Sequence, residues 1–280
     1  MGSGSPVPDA ASSSDLLASI VLCTFQRPEA LRTCLRALSR QTEKRYELIL
    51  RTEEGPLAAV RNRGLRSAHG AVVCFLDDDT VAPPGWLAGV LDVFNRHPTA
   101  VGVTGPAIVP PAYRQNRDLL RYNWLWQLYK LVFVEGKWPC HVSRSGAISI
   151  TTDANQGYDG EVQFLEACNM SYRTAALKAI GGVDEAYTAL WEWSEPDACY
   201  RLQGMLWYSP RATLVHQPAG GAATQRRYAG ASRLRNYRLF LTRWVAPSWR
   251  RSLYEAFLVG YYCGWLPFQA WRTHGNTRVL

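Results

Sequence analysis

From Ala18 onward, apolar runs alternate with amphipathic stretches. Short continuous apolar segments separated by helix-length segments of 3.6-residue periodicity are the pattern of strands buried on both faces and joined by crossover helices. The strands predicted are Ala18–Cys23, Tyr46–Leu50, Ala71–Leu76 and Ala100–Val103. Helices are predicted between them. Pro28–Arg40 opens with proline at a position that needs no backbone donor, Pro56–Ala68 stops before Gly70, and Pro84–Arg96 stops before Pro98. This repeating order predicts an α/β fold with a mostly parallel sheet flanked by helices.

After Gly105 the alternation lapses. Residues 106–160 hold proline clusters and an aromatic stretch, Tyr122, Trp124, Trp126, Tyr129 and Phe133, interleaved with Arg117, Arg121 and Lys130. A helix here either covers the sheet or faces a substrate or membrane. Regular structure is expected again over Phe164–Met170, in helices Thr174–Ile180 and Glu195–Gln203, and in a strand over Ala212–Val215. The division predicted is a flexible Gly/Ser/Pro-rich leader (1–17), a catalytic unit (18–225, with a nucleotide-binding half 18–105 and an acceptor half 106–225), and a basic, aromatic helical extension (226–280). The leader lacks the basic and apolar regions of an export signal, which predicts a cytoplasmic protein.

Charge sharpens the picture only when it is divided. The 280 residues carry 31 Lys+Arg and 23 Asp+Glu. Residues 198–280 hold twelve Arg against one acid, Glu255, a net +11, while residues 1–197 sum to −3. Such a block suits phosphate, whether of lipid head groups, nucleic acid or a phosphorylated substrate. The uncharged run Ala256–Trp271 is shorter than the ~20 apolar residues a bilayer span needs and contains Pro267 and Gln269. It predicts either a peripheral element at an anionic membrane surface, on its inner face, or a helical pair packed on the core. Seven scattered Cys without a C-x-x-C pair favour buried thiols over a zinc cluster.

The candidate chemistry centres on Asp77-Asp78-Asp79, three adjacent carboxylates closing the apolar run that ends Phe75-Leu76. Like charges a few ångströms apart oppose one another's ionisation, so a cation is the natural complement. Mn²⁺ or Mg²⁺ takes oxygen ligands and commonly joins carboxylates to a substrate's phosphates. In open parallel sheets, ligands bind outside the carboxyl ends of the strands, where this triplet lies.

With Pro83-Pro84-Gly85-Trp86-Leu87 following it, the triplet resembles the metal-binding Asp-x-Asp segment of family-2 glycosyltransferases with the GT-A fold. Four further stretches extend the resemblance over roughly Ala18–Gln217. Ile20–Pro28 is similar to the first nucleotide-contacting loop, and Ala59–Leu65 to the Ala-Arg-Asn-x-Gly helix. Cys168–Arg173 with Gly181–Glu185 is similar to the stretch beneath donor sugar and acceptor, and Trp193–Leu202 to the segment supplying the catalytic base. The resemblance implies an inverting, metal-dependent transfer of a sugar from a nucleotide-sugar donor to an acceptor hydroxyl, and the basic, aromatic C-terminus suggests a membrane-presented acceptor such as a polyprenyl-linked saccharide.

It further implies donor contacts from Thr24, Phe25, Arg27, Glu53, Arg61, Asp77 and Asp78. Metal ligation is implied for Asp79, Asp77 and His216. The acceptor side is assigned to Asn169, Met170, Trp193 and Asp197, and the base to Glu195, with Glu192 a rival. The chain departs from the family after the second strand, where Arg51–Pro56 replaces the usual Asp-Asp-Gly-Ser segment, so the nucleobase stays open. A nucleotidylyltransferase shares this sheet type, but Cys23–Glu29 lacks the glycine-rich loop it would need. A nucleic-acid-binding protein would explain the Arg-rich block and leave the acidic triplet without a role, so no nucleic-acid partner is expected.

Overall fold

The computed structural model describes residues 16–113, 124–136, 138–149, 157–188, 193–218 and 229–265. The first strands form as their apolar runs dictate: β1 (Ala18–Cys23), β2 (Tyr46–Arg51) and β3 (Val72–Asp77) pair in parallel with β1 in the middle. Their crossovers are α1 (Pro28–Ser39) and α2 (Leu57–Arg66), within one or two residues of expectation. A two-residue strand β4 (Thr80–Val81) follows the acidic triplet, then α3 (Trp86–Arg96), β5 (Ala100–Thr104) and β6 (Ala107–Ile108).

The second half follows with helix α4 (Trp124–Phe133), a small hairpin of β7 (His141–Val142) and β8 (Ile148–Ser149), then β9 (Gly160–Val162), β10 (Asn169–Arg173) and helix α5 (Thr174–Ala179). Next come α6 (Ser194–Leu202), β11 (Met205–Tyr208) and β12 (Leu214–His216). Helices α7 (Ala229–Trp244) and α8 (Trp249–Val259) come last, and a π-helical turn over Gly260–Trp265 closes the described chain.

The seven-stranded sheet runs β2-β1-β3-β10-β5-β11-β9, with β10 antiparallel to both β3 and β5 and β9 antiparallel to β11. The mostly parallel α/β expectation therefore holds, with two strands reversed. Alternation along the central strands sorts the core into two layers. Ile20, Leu22, Val72, Cys74 and Leu76 pack towards α1 and α3, while Val21, Val73 and Phe75 pack towards α2, α5, α6 and α7.

Two sequence expectations shift, and one strand goes unforeseen. Order near Phe164–Met170 resolves into a strand that starts only at Asn169. The strand expected at Ala212 starts at Leu214, because Pro210–Ala212 form a 3₁₀ turn. β11 carries no distinctive signal, being four residues long directly after a helix and Gly204. The two halves proposed for the catalytic unit share one sheet, since β10 from the second lies between β3 and β5 of the first. Residues 1–15 of the leader and 266–280 of the C-terminal run lie outside the described residues, as do Tyr122, Arg117, Arg121 and Glu192.

In the described part of the extension, α7 and α8 pack on α4 through Tyr129, Phe133, Leu241, Tyr254 and Leu258. Several of its arginines spend their charge on partners within the chain, two of them on partners outside the extension. Arg243 reaches Asp184 (2.6 Å) and Asp197 (3.1 Å), Arg250 reaches Glu135 (2.5 Å), and Arg251 reaches Glu255 (2.7 Å). Among the described residues, no helix is long and apolar enough to cross a membrane.

One turn fixes the join between α2 and the segment after α5. Gly182 sits at φ +82°, and a Cβ there would lie 2.3 Å from the Asn62 Oδ1 atom. That oxygen accepts the Val183 backbone N–H (3.0 Å), and the Asn62 amide donates to the Val183 carbonyl (2.8 Å) and Glu185 (2.9 Å). Gly182→Ala is expected to destabilise the fold by about 1–3 kcal/mol from the left-handed backbone alone, and by more because Asn62 must move. Urea unfolding followed by circular dichroism measures it; an unchanged midpoint would contradict the tight packing.

Candidate active site

The order β2-β1-β3 makes β1 the strand at which the chain's winding reverses, and the crevice beyond its carboxyl end is where such sheets bind ligands. Two segments border that crevice, the loop Thr24–Arg27 after β1 and the triplet Asp77–Asp79 after β3.

Asp78 ties the segments together. It is fully buried, accepts a 2.5 Å hydrogen bond from the Thr24 hydroxyl, and pairs with the Arg27 guanidinium at 2.5 Å. Burial raises its carboxyl above the ordinary value, against the pull of Thr24 and Arg27. Arg27 also pairs with Asp79 at 3.0 Å, and the strained turn that aims it has Gln26 at φ +55°. Phe25 is half-buried beside it. Of the residues assigned to the donor, Thr24 and Asp78 therefore spend their polar groups on anchoring the loop, while Arg27 keeps part of its guanidinium surface exposed.

His216 arrives from the far end of the chain. β12 pairs antiparallel with β4 so that His216 lies opposite Thr80, and the Gln217 N–H donates to the Asp79 carbonyl (2.8 Å). The register puts His216 Nε2 at 3.2 Å from Asp79 Oδ1. Burial alone would pull this imidazole down, but Cys168 and the Asp79 carboxylate outweigh it and push it up to about 10. One ligand atom from each of Asp77, Asp79 and His216 lies within 4.8 Å of the others.

Arg61 is where the structure adds most. The resemblance gives it the donor's phosphates; instead it is 2% exposed and lies between the acidic strand end and α6. Its guanidinium pairs with Glu195, approaches Asp77 at 3.5 Å, and donates to the Ala167 carbonyl at 3.1 Å. Glu195 stands in the first turn of α6, where a carboxylate also meets the helix dipole favourably. Burial raises Asp77 to about 6 despite Arg61. The crevice thus gathers four carboxylates (Asp77, Asp78, Asp79, Glu195) against two guanidinium groups (Arg27, Arg61).

The remaining assigned residues lie elsewhere. Asn169 is fully buried; its amide donates to the carbonyls of Gly105 (3.1 Å) and Ala212 (2.7 Å), and its Oδ1 accepts from the Trp86 indole (3.0 Å). Met170 is buried in the core on the α2 side of the sheet. Neither side chain reaches the crevice. Glu53 pairs with Arg63 at 2.8 Å after β2, and the Arg63 contact holds its carboxyl below the ordinary value.

Trp193, at φ +68°, packs against Tyr237 and Phe240 of α7 with ring centroids 4.2 and 4.8 Å away. Asp197 is fully buried and accepts from Tyr187 (3.2 Å), Arg201 (2.8 Å), Arg243 (3.1 Å) and Trp244 (2.8 Å). Both therefore hold α6 against α7. Asp197→Ala would remove the acceptor of all four donors while Arg243 keeps Asp184 and Arg201 keeps the Ile180 and Gly182 carbonyls, and is expected to cost about 1–3 kcal/mol, read by chemical denaturation. A loss under 1 kcal/mol would mean that these four contacts do not anchor the helix.

Known proteins share this fold. The family model of Glycosyl transferase family 2 matches residues 49–181, which include Arg61 and Asp77–Asp79 but neither Glu195 nor His216. A curated relative, the glucosyl-dolichyl phosphate glucuronosyltransferase of Haloferax volcanii, is 23% identical over 136 residues, covering 39% of this chain and 43% of that protein. The chain thus spans less than half the length of the curated relative it matches.

Among solved structures, GalNAc-T7 with UDP, GalNAc and Mn²⁺ superposes with a TM-score of 0.57 at 12% identity, covering 83% of this chain and 49% of that one. Residues 1–349 of S. aureus TarS superpose at 0.52 and 13%, covering 93% and 74%. At such identities the likeness establishes the fold. Residues 49–181, which hold the acidic strand end, thus match a glycosyl transferase family 2 model, and the sheet has the fold of GT-A glycosyltransferases.

Proposed function

We propose that the protein is an inverting, metal-dependent glycosyltransferase that moves a sugar from a nucleoside-diphosphate donor to an acceptor hydroxyl. The observation that carries this reading is the convergence of Asp77, Asp79 and His216 at the crevice beyond β1 and β3. Two carboxylates and an imidazole suit a divalent ion, and the excess of acids over guanidinium groups there leaves negative charge for it to offset. The imidazole favours Mn²⁺ over the harder Mg²⁺. Asp77, Asp79 and His216 would hold the ion, which when bound supplies positive charge to the leaving diphosphate.

The chain's own groups account for the rest. Arg27, partly exposed beside Asp79, adds charge for the donor's phosphates. Glu195 takes the proton of the acceptor hydroxyl while that oxygen bonds to the anomeric carbon and the carbon–oxygen bond to the diphosphate breaks. Attack opposite the leaving group inverts the configuration. Arg61, contacting both Glu195 and Asp77, sets the distance of the base from the metal ligands.

The Haloferax volcanii relative is named for a glucosyl-dolichyl phosphate; we read the acceptor here as a lipid-linked saccharide used by a cytoplasmic enzyme at the inner face of a membrane. Nucleotide sugars screened by thermal shift with and without Mn²⁺ should identify the donor, because a bound ligand raises apparent stability. Transfer should then release nucleoside diphosphate without pyrophosphate. Pyrophosphate as the product would overturn the reading in favour of nucleotidylyl transfer.

A further inference from the structure

Helices α4 and α8 bury one face each against the other and leave apolar side chains on the opposite side. Their contact is aromatic: Phe133 lies 5.2 Å, centroid to centroid, from both Tyr254 and Phe257, and Tyr129 lies 6.0 Å from both. Arg250 at the start of α8 pairs with Glu135 just after α4 ends, so the helices run antiparallel.

Helical spacing then defines what faces outward. On α4, Leu128, Leu131 and Val132 (i, i+3, i+4) are exposed, Leu131 to 84%. On α8, Trp249 and Leu253 (i, i+4) are exposed, Trp249 to 72%. In an antiparallel pair packed through Tyr129/Phe133 and Tyr254/Phe257, the flank holding Leu128 and Val132 and the flank holding Trp249 and Leu253 fall on the same side. Five large apolar side chains are therefore exposed on the outward side of the pair.

Its surroundings are basic. Lys130 and Arg144 are exposed nearby in the chain and Arg250 lies beside Trp249 (5.3 Å from ring to guanidinium carbon); with Arg251 these cations outnumber the acids there, Glu135, which pairs with Arg250 and Arg144, and Glu255, which pairs with Arg251. Core packing accounts for the inward aromatics and leaves this stripe unexplained. An apolar stripe with a tryptophan, rimmed by more cations than acids, complements a bilayer with anionic head groups: the apolar groups enter the interface and the cations meet phosphate. Neither helix can span.

We propose that the α4/α8 face, centred on Leu131 and Trp249, docks the protein on an anionic membrane. This deepens the lipid-linked acceptor reading by naming the surface that would meet the membrane.

The test is flotation of the full chain with phosphatidylcholine vesicles with and without phosphatidylglycerol. Binding is expected only with phosphatidylglycerol and should weaken as salt rises. Leu131→Asp and Trp249→Asp, both at exposed sites, should each lower partitioning about tenfold or more, while Leu48→Asp on the exposed side of β2 leaves it unchanged. Equal binding to both vesicle types, or full binding by the Leu131 and Trp249 variants, overturns the proposal. So does loss of self-association in those variants by light scattering with no vesicle binding, which would make the face a contact between two copies. Donor-induced thermal shift with Mn²⁺ should persist in all variants, so failure of the membrane proposal is distinguishable from failure of the transferase reading.

Discussion

Asp79→Ala should remove Mn²⁺-stimulated transfer while leaving a folded protein. Asp79 meets both Arg27 and His216 and supplies one of three clustered ligand atoms. Without it the crevice loses one of its three clustered ligand groups and one of its four carboxylates while keeping both guanidinium groups, so a divalent ion is held far more weakly. Because a bound metal is worth several kcal/mol at a developing charge and each 1.36 kcal/mol is tenfold in rate, turnover should fall by about three orders of magnitude. Release of nucleoside diphosphate, measured across a Mn²⁺ titration, reads the effect, and circular dichroism confirms the fold. Wild-type turnover in this variant, with the correct donor, would remove Asp79 from the metal site.

Glu195→Gln tests the other end of the same displacement. The amide keeps the shape and can still accept from Arg61, but it cannot take a proton, so kcat should drop by about 10²–10⁴. Donor affinity, measured by calorimetry with Mn²⁺ present, should change little. Arg61 then retains only Asp77 as an ionic partner, at 3.5 Å, so some loss of thermal stability is expected alongside. A large stability loss with kcat preserved would make Glu195 a buried counter-ion for Arg61 and nothing more.

The parts of this architecture that were readable in advance are local. Strands β1 to β3 are continuous apolar runs, and their helices begin at prolines or stop short of a glycine or proline, so each boundary is written within a few residues of itself. The acidic triplet is equally local, and its place at a strand end follows from the run before it. What escaped notice depends on residues far apart. Arg61 and Glu195 are 134 positions apart, and nothing near either one announces the ion pair.

Asn169 makes the same point from the other side. Within a family motif it reads as a polar residue available to ligands, yet its amide braces carbonyls 64 and 43 positions away. Asn62 and Gly182, each in a segment that carries the resemblance, are explained by packing against each other. Charge in the C-terminal block was visible as composition; that Arg243 and Arg250 answer Asp184, Asp197 and Glu135 became apparent only with the helices in place.

The reversed strand β10 bears on how the chain is made. It fills the gap between β3 and β5, pairing with both, yet it is synthesised well after either. Until residues 169–173 leave the ribosome, each of those neighbours has an unsatisfied edge of backbone amides and carbonyls, and an exposed edge invites pairing with the wrong chain. The nascent N-terminal half is thus committed to waiting, and its vulnerability to aggregation during translation is set by a five-residue strand that arrives late.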